Sequence, residues 1–300
     1  MTTQAVPEIT YLLDLSAHGR IRTTGEDRAR LIHALCTNHI QQLQPGQGAY
    51  AFFLTAQGRI ISDAHILCFE DSLLIDLEPE AREAMMKHID HYIIADDVTL
   101  EDETAHTFSF GLEGPATQAF LQRLSIPVPQ QRESHLPWED MAVAAIGATG
   151  YRIYGSATRK DEIWQRLQLA GAQVGNAHAL RLKNFQPRYG EDITNKTLAQ
   201  ETALPHALHF QKGCYLGQEI VERIRSRTHV NRMLTGLEFP SGQAPEPGTP
   251  VLWNLTEIGK ITSSHASHAI ALLRVEHNQP GTELSAGGEP AIARPIAANP

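Results

Sequence analysis

The segment Lys212–Glu219, with the sequence KGCYLGQE, contains one of only three cysteines in a chain of 300 residues. The residues that follow, GQEIVERIRSR, place Ile220, Val221 and Ile224 at helical spacing, which predicts a helix that begins just after the cysteine. The N-terminal end of a helix and a nearby lysine both favour a thiolate over a thiol. The pattern therefore predicts a nucleophilic or oxidisable side chain at Cys214, although a small residue that packs between two glycines would give the same sequence.

A locally basic strip follows the cysteine in a chain whose formal net charge is −9. From Lys212 to Arg232 five lysines or arginines stand against two glutamates. Glu219 and Arg223 are four residues apart, which is a favourable pair on one helix face. The net negative charge of the whole chain disfavours DNA or an anionic membrane as partners. The strip is therefore interpreted locally, as either a solvated helix face or a small anion site.

The region before this segment predicts two α+β modules of related plan. The strand patterns YAFFL, RIISDAHILCF and SLLIDL precede a helix that begins near Pro79, and an extended segment follows. FSFGL, PATQAFLQRL, MAVAAI and YRIYG repeat the alternation after residue 105. A further helix begins near Thr158, which forms a capping-box pattern with Asp161.

From about residue 231 the sequence changes character. Eight of the seventeen prolines lie at or after Pro240, and turn residues separate short strand patterns such as GKITSS and AIALLRV. This texture predicts a small all-β terminal domain, of which a barrel is one form.

Composition and spacing restrict the function further. The N-terminus has no export signal and no apolar run is long enough to span a bilayer, which predicts a cytoplasmic protein without membrane contact. The cysteines at 36, 68 and 214 form neither a disulfide framework nor a CxxC site, so a reducing compartment is expected. The HxxH pairs lack further ligands, so no metal is expected. The GQG of Gly46–Gly48 leads into a strand, which disfavours a dinucleotide site.

KGCYLGQE resembles the signature of the folate-binding YgfZ family, relatives of the glycine cleavage T protein (aminomethyltransferase). Similarity extends to RLKNFQPRYGEDITNKTLAQETAL before the signature and to IGKITSSHASHAIALLRV in the terminal domain. The resemblance implies two interleaved α+β subdomains plus a C-terminal β-barrel around a central channel. On this basis we expect a folate-binding region over 1–230, with 46–104 inserted into it, and a barrel over 231–300.

The resemblance also implies a ligand and functional residues. The ligand is tetrahydrofolate or a derivative, for which Asp63, Tyr151 and Arg223 are the expected binding residues. Cys214 is the residue expected to carry the chemistry. The other signature positions carried over are Lys212, Gly213, Tyr215, Gly217, Gln218 and Glu219.

The implied role is support for the assembly, repair or maintenance of iron–sulfur clusters in client enzymes, including enzymes that modify transfer RNA. Partners would be those enzymes or the assembly machinery, with contact to transfer RNA. Two alternatives remain open: a T-protein-like aminomethyltransferase and an RNA-binding module. Against the first, paired aspartates of the T protein are reduced here to Ser62 and Asp63, and Ala148 stands where the T protein has a pterin-binding glutamate. The second lacks an aromatic RNA-binding motif.

Overall fold

A computed structural model describes residues 9–146, 150–227 and 230–296. Ala148, which the family resemblance places at the position of the T protein's pterin-binding glutamate, lies outside the described residues. The strands are β1 (Tyr11–Asp14), β2 (Gly19–Thr24), β3 (Gly48–Leu54), β4 (Ile60–Cys68), β5 (Ser72–Leu77), β6 (Thr99–Asp102), β7 (Thr107–Glu113), β8 (His135–Trp138), β9 (Met141–Ile146), β10 (Gly150–Ser156), β11 (Gln173–Val174), β12 (Arg232–Glu238), β13 (Pro250–Trp253), β14 (Thr256–His265), β15 (His268–Arg274), β16 (Glu283–Ala286) and β17 (Glu289–Arg294).

The α-helices are short, and four of the six pack against one or the other of two sheets. They are α1 (Arg28–Leu35), α2 (Arg82–His91), α3 (Thr117–Arg123), α4 (Lys160–Leu169), α5 (Ala177–Lys183) and α6 (Gln218–Arg227). None of the helices in the described ranges is long and apolar enough to cross a lipid bilayer.

The first module is a five-stranded sheet with the order β3-β4-β5-β2-β6. Helices α1 and α2 cover one face of it, and α2 buries Met85 and Ile89 in the apolar cluster that also contains Ile66 and Ile75 of the sheet. The predicted insertion over 46–104 supplies four of these strands, whereas β2 comes from the chain before it. The strand β2 joins this sheet by pairing with both β5 and β6. Because this pairing is non-local, the sequence of β2 itself does not reveal it.

The second module is a six-stranded sheet with the order β11-β1-β7-β10-β9-β8. Its apolar face packs on α3 and α4, where Ile163 and Leu167 are fully buried. The predicted capping box between Thr158 and Asp161 is wrong. Ser156 Oγ instead accepts from the Thr158 N–H and caps a single 3₁₀ turn that leads into α4.

The C-terminal domain is a closed barrel with the order β12-β15-β14-β13-β16-β17. It is joined to the modules through Asp192, which is 4% exposed. The Asp192 carboxylate accepts from Arg181 Nη1 at 2.8 Å and from the hydroxyls of Thr262 and Ser263 at 2.5 and 2.6 Å. The predicted α+β architecture with a terminal β-barrel is therefore confirmed.

Candidate functional site

A cavity of about 570 Å³ lies between the two sheets, which is the size of a typical small-molecule site. The six-stranded sheet contributes Leu13, Gly111 and Glu113 to its walls, and the five-stranded sheet contributes Asp63 and His65. The segment around α5 closes another side with Arg181, Arg188 and Glu191. The cavity thus depends on all three parts of the region that precedes the barrel and on none of them alone.

A buried ion pair links the two sheets beside this cavity. Asp76 on β5 is 1% exposed, and its Oδ2 accepts from Arg152 Nη1 at 2.6 Å and from the Tyr154 hydroxyl at 2.5 Å. His18 Nδ1 lies 3.3 Å from the other oxygen. Burial alone would raise the pKa of Asp76, but Arg152, His18 and Tyr154 outweigh it and hold that pKa well below its usual range. Asp76 is therefore a charged structural link between the modules.

Asp63 is a buried carboxylate on the cavity wall, with 8% of its surface exposed. Its Oδ2 accepts from the Tyr50 hydroxyl at 2.5 Å, whereas its buried Oδ1 has no hydrogen-bond partner among the described residues. Burial raises the pKa of Asp63, and burial next to this carboxyl group raises the pKa of Tyr50 well above its usual value. Asp63 can therefore hold or exchange a proton nearer neutral pH than a surface aspartate can.

Further cavity residues were missed by sequence reasoning. Burial raises the pKa of both Glu78 and Glu113, and the buried Oε2 of Glu113 has no hydrogen-bond partner in the described ranges. Glu78 differs because its Oε2 lies 3.0 Å from Arg188 Nε, without hydrogen-bond alignment. The strand pattern of FSFGLE shows that Gly111 and Glu113 share a face, but only the packing of the sheets shows that this face meets a cavity.

A second cavity of about 450 Å³ adjoins the first, and Tyr50 and His206 line both. The rings of His39 and His209 form part of its wall and lie edge to face, with centroids 5.5 Å apart. His33 packs on His39, and burial, reinforced by the Lys212 charge, lowers the pKa of His33 to about 4. These imidazoles do not form a metal-binding group within the described part of the chain.

The segment KGCYLGQE wraps the C-terminal end of α1. The Lys212 ammonium, 7% exposed, donates to the carbonyl oxygens of His33, Cys36 and Asn38 at 2.5, 2.6 and 2.8 Å. Carbonyls at a helix C-terminus have no intrahelical donors, so a lysine is a suitable partner for them. Burial lowers the pKa of Lys212 to about 8, which still leaves it mainly protonated at neutral pH. The Lys212 ammonium thus binds carbonyl oxygens at the end of α1, whereas the sequence had predicted that it would activate the neighbouring thiol.

The other residues of the segment are packed or turn-forming. Tyr215 is buried in the apolar cluster that includes Val221, and its ring lies 4.9 Å from Lys212 Nζ. Gly217 has φ +82°, and a Cβ there would come within 2.7 Å of the Thr55 carbonyl oxygen. Gln218 Oε1 accepts from the Tyr215 N–H at 3.3 Å. These contacts fix the loop that carries the cysteine.

Cys214 is exposed, whereas Cys36 and Cys68 are buried. Burial also raises the pKa of both buried thiols. The buried residues Lys212 and Tyr215 flank this position and hold Cys214 at the surface. Cys214 lines neither of the two cavities.

We expect iodoacetamide to label native protein at one cysteine per chain, because only Cys214 is accessible. Mass spectrometry of peptides after brief treatment at pH 8 would identify the site, and the same treatment in urea should label all three thiols. The variant Cys214→Ala should remain unlabelled in the native state. Comparable native labelling of Cys36 or Cys68 would contradict the packing described above.

The remaining predicted site residues are separated. Tyr151 lines the main cavity and also packs against the apolar cluster of the six-stranded sheet. Arg223 lies on α6 and lines neither of these two cavities, and Glu219 is exposed on the same helix. The ion pair recorded on α6 joins Arg225 to Glu222 at 3.3 Å, in place of the predicted pair between Glu219 and Arg223. The structure thus brings Asp63 and Tyr151 to one cavity and leaves Cys214 and Arg223 elsewhere.

Comparison with known families assigns both parts of the chain. Residues 2–212 match the family described as GCV_T, GCVT N-terminal domain. Residues 231–298 match the CAF17 C-terminal beta-barrel domain. Residues 213–230, between the two matches, contain α6 and all of the KGCYLGQE segment except Lys212.

Individual relatives agree with this assignment. A chloroplastic protein of Arabidopsis thaliana named "Putative transferase" is 28% identical over 84% of this chain, which spans 61% of that relative. An aminomethyltransferase of Koribacter versatilis is 27% identical, with 84% of this chain and 72% of the relative covered. The crystal structure of the glycine cleavage system aminomethyltransferase T from Bartonella henselae superposes with a TM-score of 0.82 at 19% identity, over 95% of this chain and 84% of that one, which shows the shared fold. The chain therefore belongs to the GCV_T family, and its C-terminal barrel is of the CAF17 type.

Proposed function

We propose that this protein binds a reduced folate in the cavity between its sheets and uses the Cys214 thiol to support iron–sulfur clusters in client enzymes. Those clients include enzymes that modify transfer RNA, and the site of action is the cytoplasm. The observation that carries the proposal is the contrast within one segment: Lys212, Tyr215 and Gly217 are buried in the fold, and Cys214 is exposed. A rigid support for a surface thiol suits a residue that reacts with or ligates a partner's group.

The cavity supports the folate part of the proposal. Two buried carboxylate oxygens on its walls, Asp63 Oδ1 and Glu113 Oε2, have neither a hydrogen bond nor an ion pair among the described residues, whereas Glu78 Oε2 lies beside Arg188. A pterin ring offers adjacent N–H donors, which are the complement that such acceptors require. Leu13, Ile146 and Leu204 supply apolar surface for the ring system. When bound, a reduced folate supplies amines that can carry a one-carbon unit.

The cysteines restrict how a cluster could be handled. Cys36 is fully buried and Cys68 is 8% exposed, so Cys214 is the thiol that can meet a cluster held by a partner. An ordinary cluster needs four protein ligands, so the partner must supply the others. Contact would be transient, through a single thiolate. In a second route, the same thiol attacks a client cysteine that is already oxidised to sulfenic acid, which forms a mixed disulfide and releases water.

Complementation tests the thiol. In cells that lack the gene, we expect Cys214→Ala to restore the activity of iron–sulfur enzymes far less than wild type does, at equal protein level. Cys68→Ala, which removes a thiol with little exposure, serves as the control and should restore activity. Full restoration by Cys214→Ala would remove the cysteine from the proposal.

Aminomethyl transfer is the second candidate function, and Asp63 favours it. A cavity carboxyl group with a raised pKa is suited to proton transfer near a reacting amine. Transfer of a methylene group to tetrahydrofolate by the purified protein, lost in Asp63→Asn and retained in Cys214→Ala, would establish this activity in place of the thiol-dependent role.

Nucleic-acid contact has less support. Arg225 stacks over the Phe210 ring at 4.4 Å and pairs with Glu222, so part of the basic strip is already engaged within the protein. Arg223 is an exposed residue through which α6 would meet transfer RNA.

A further inference from the structure

Glu113 differs from the other carboxylates of the main cavity. In the described ranges, the remaining acidic residues of its lining all contact a partner: Asp63 accepts from Tyr50, whereas Glu78, Glu80 and Glu191 each lie beside an arginine. Glu113 has neither a hydrogen bond nor an ion pair there, and its Oε2 is buried. A buried acceptor without a donor costs free energy. The unpaired Glu113 oxygen is therefore explained if a bound ligand supplies the donor.

The local backbone aims this carboxylate at the cavity. Glu113 is the last residue of β7, on the same strand face as Gly111, which also lines the cavity. Gly150 on the neighbouring strand leaves room for it, because a Cβ at that position would lie only 3.3 Å from Glu113 Cγ. Ile146 and Gly150 line the cavity beside it, so the carboxylate lies among small and apolar groups.

The cation nearest to Glu113 in its electrostatic effect is already paired with another carboxylate. Arg152 is the charge that acts on Glu113, but its Nη1 is bound to Asp76 at 2.6 Å. Burial outweighs this attraction and raises the pKa of Glu113. The described residues therefore compensate the charge of the Glu113 carboxylate poorly.

We infer that Glu113 recognises the paired N–H donors on the pyrimidine edge of the folate's pterin ring, an assignment that rests on the proposed function. A carboxylate has only acceptors, so it selects a ligand edge with two adjacent donors and rejects one with acceptors. The ring N–H and the adjacent amino group of a pterin form such an edge. Asp63 on the opposite sheet already accepts from Tyr50 and is left to contact another part of the ligand.

Calorimetric titration with tetrahydrofolate up to about 1 mM, under anaerobic conditions, tests the assignment in the full-length protein. Glu113→Gln keeps the size of the side chain but replaces one acceptor with a donor, so we expect binding at least about tenfold weaker than wild type. The control is Glu201→Gln, a buried glutamate at 5% exposure that lines neither cavity. Its affinity should stay within about twofold of wild type.

The melting temperature of the ligand-free variants separates recognition from a structural role. Removal of a poorly compensated buried charge should leave the Glu113→Gln protein at least as stable as wild type. A lower melting temperature, or tetrahydrofolate affinity within about twofold of wild type, would overturn the assignment of Glu113. Absence of binding by the wild-type protein would instead overturn the folate part of the proposed function itself.

Discussion

Replacement of Lys212 by methionine is expected to lower the free energy of unfolding by about 3–5 kcal/mol, because it removes three charge-assisted hydrogen bonds, each worth about 1.5–3 kcal/mol, and also removes the desolvation cost of the buried ammonium. The substitution keeps an apolar stem of similar length but removes the donors for three carbonyl oxygens. These oxygens belong to the end of α1 and the loop after it, where a buried acceptor without a donor costs further free energy. Urea denaturation at pH 7, followed by circular dichroism, measures the loss.

Lys260→Met is a matched control, because Lys260 is exposed on the barrel strand β14. Its unfolding free energy should remain close to that of wild type. An equally small effect of Lys212→Met would show that the three carbonyls find water instead, and that Lys212 is held in its position for another purpose, such as the chemistry of Cys214.

Lys212 also illustrates how far the sequence could be interpreted. The pattern KGCYLGQE correctly predicts a helix after the cysteine, since helical spacing and a glycine before it are local signals. The lysine was assigned to the thiol because the two are neighbours in sequence. Its contacts lie on His33, Cys36 and Asn38, more than 170 residues away, and nothing in the local pattern identifies them.

The modules and the barrel were predictable for a similar reason. Strand alternation and the periodicity of helix α2 are properties of short segments, so their presence follows from the sequence. The participation of β2 in the five-stranded sheet, and the meeting of Asp63 with Glu113 at one cavity, depend on how whole sheets pack. Asp63 was identified only through resemblance to a family. Glu113 was not identified, because neither its local sequence nor the resemblance indicated a binding residue there.

Asp76→Asn is expected to destabilise the protein by about 3–5 kcal/mol, because it leaves Arg152 buried without its counter-charge. The effect should be large because Asp76 joins β5 of one sheet to β10 of the other. Its loss would weaken the packing between the two modules and disturb the cavity beside the ion pair. Chemical denaturation at pH 7 measures the change. Asp140→Asn, which removes an exposed partner of Arg159, should leave the denaturation midpoint nearly unchanged.

The pH dependence gives this prediction a definite sign. Since the folded-state pKa of Asp76 is held well below its unfolded value of about 3.9, its stabilising contribution is fully present above about pH 4 and is lost as the pH falls toward the folded pKa. The difference in unfolding free energy between wild type and Asp76→Asn should therefore not narrow between pH 7 and pH 5, and should narrow only below about pH 4. The double variant Asp76→Asn/Arg152→Met should recover part of the loss, because it also removes the uncompensated cation. A difference that narrows already between pH 7 and pH 5, or no recovery in the double variant, would place the stabilising charge elsewhere than on this pair.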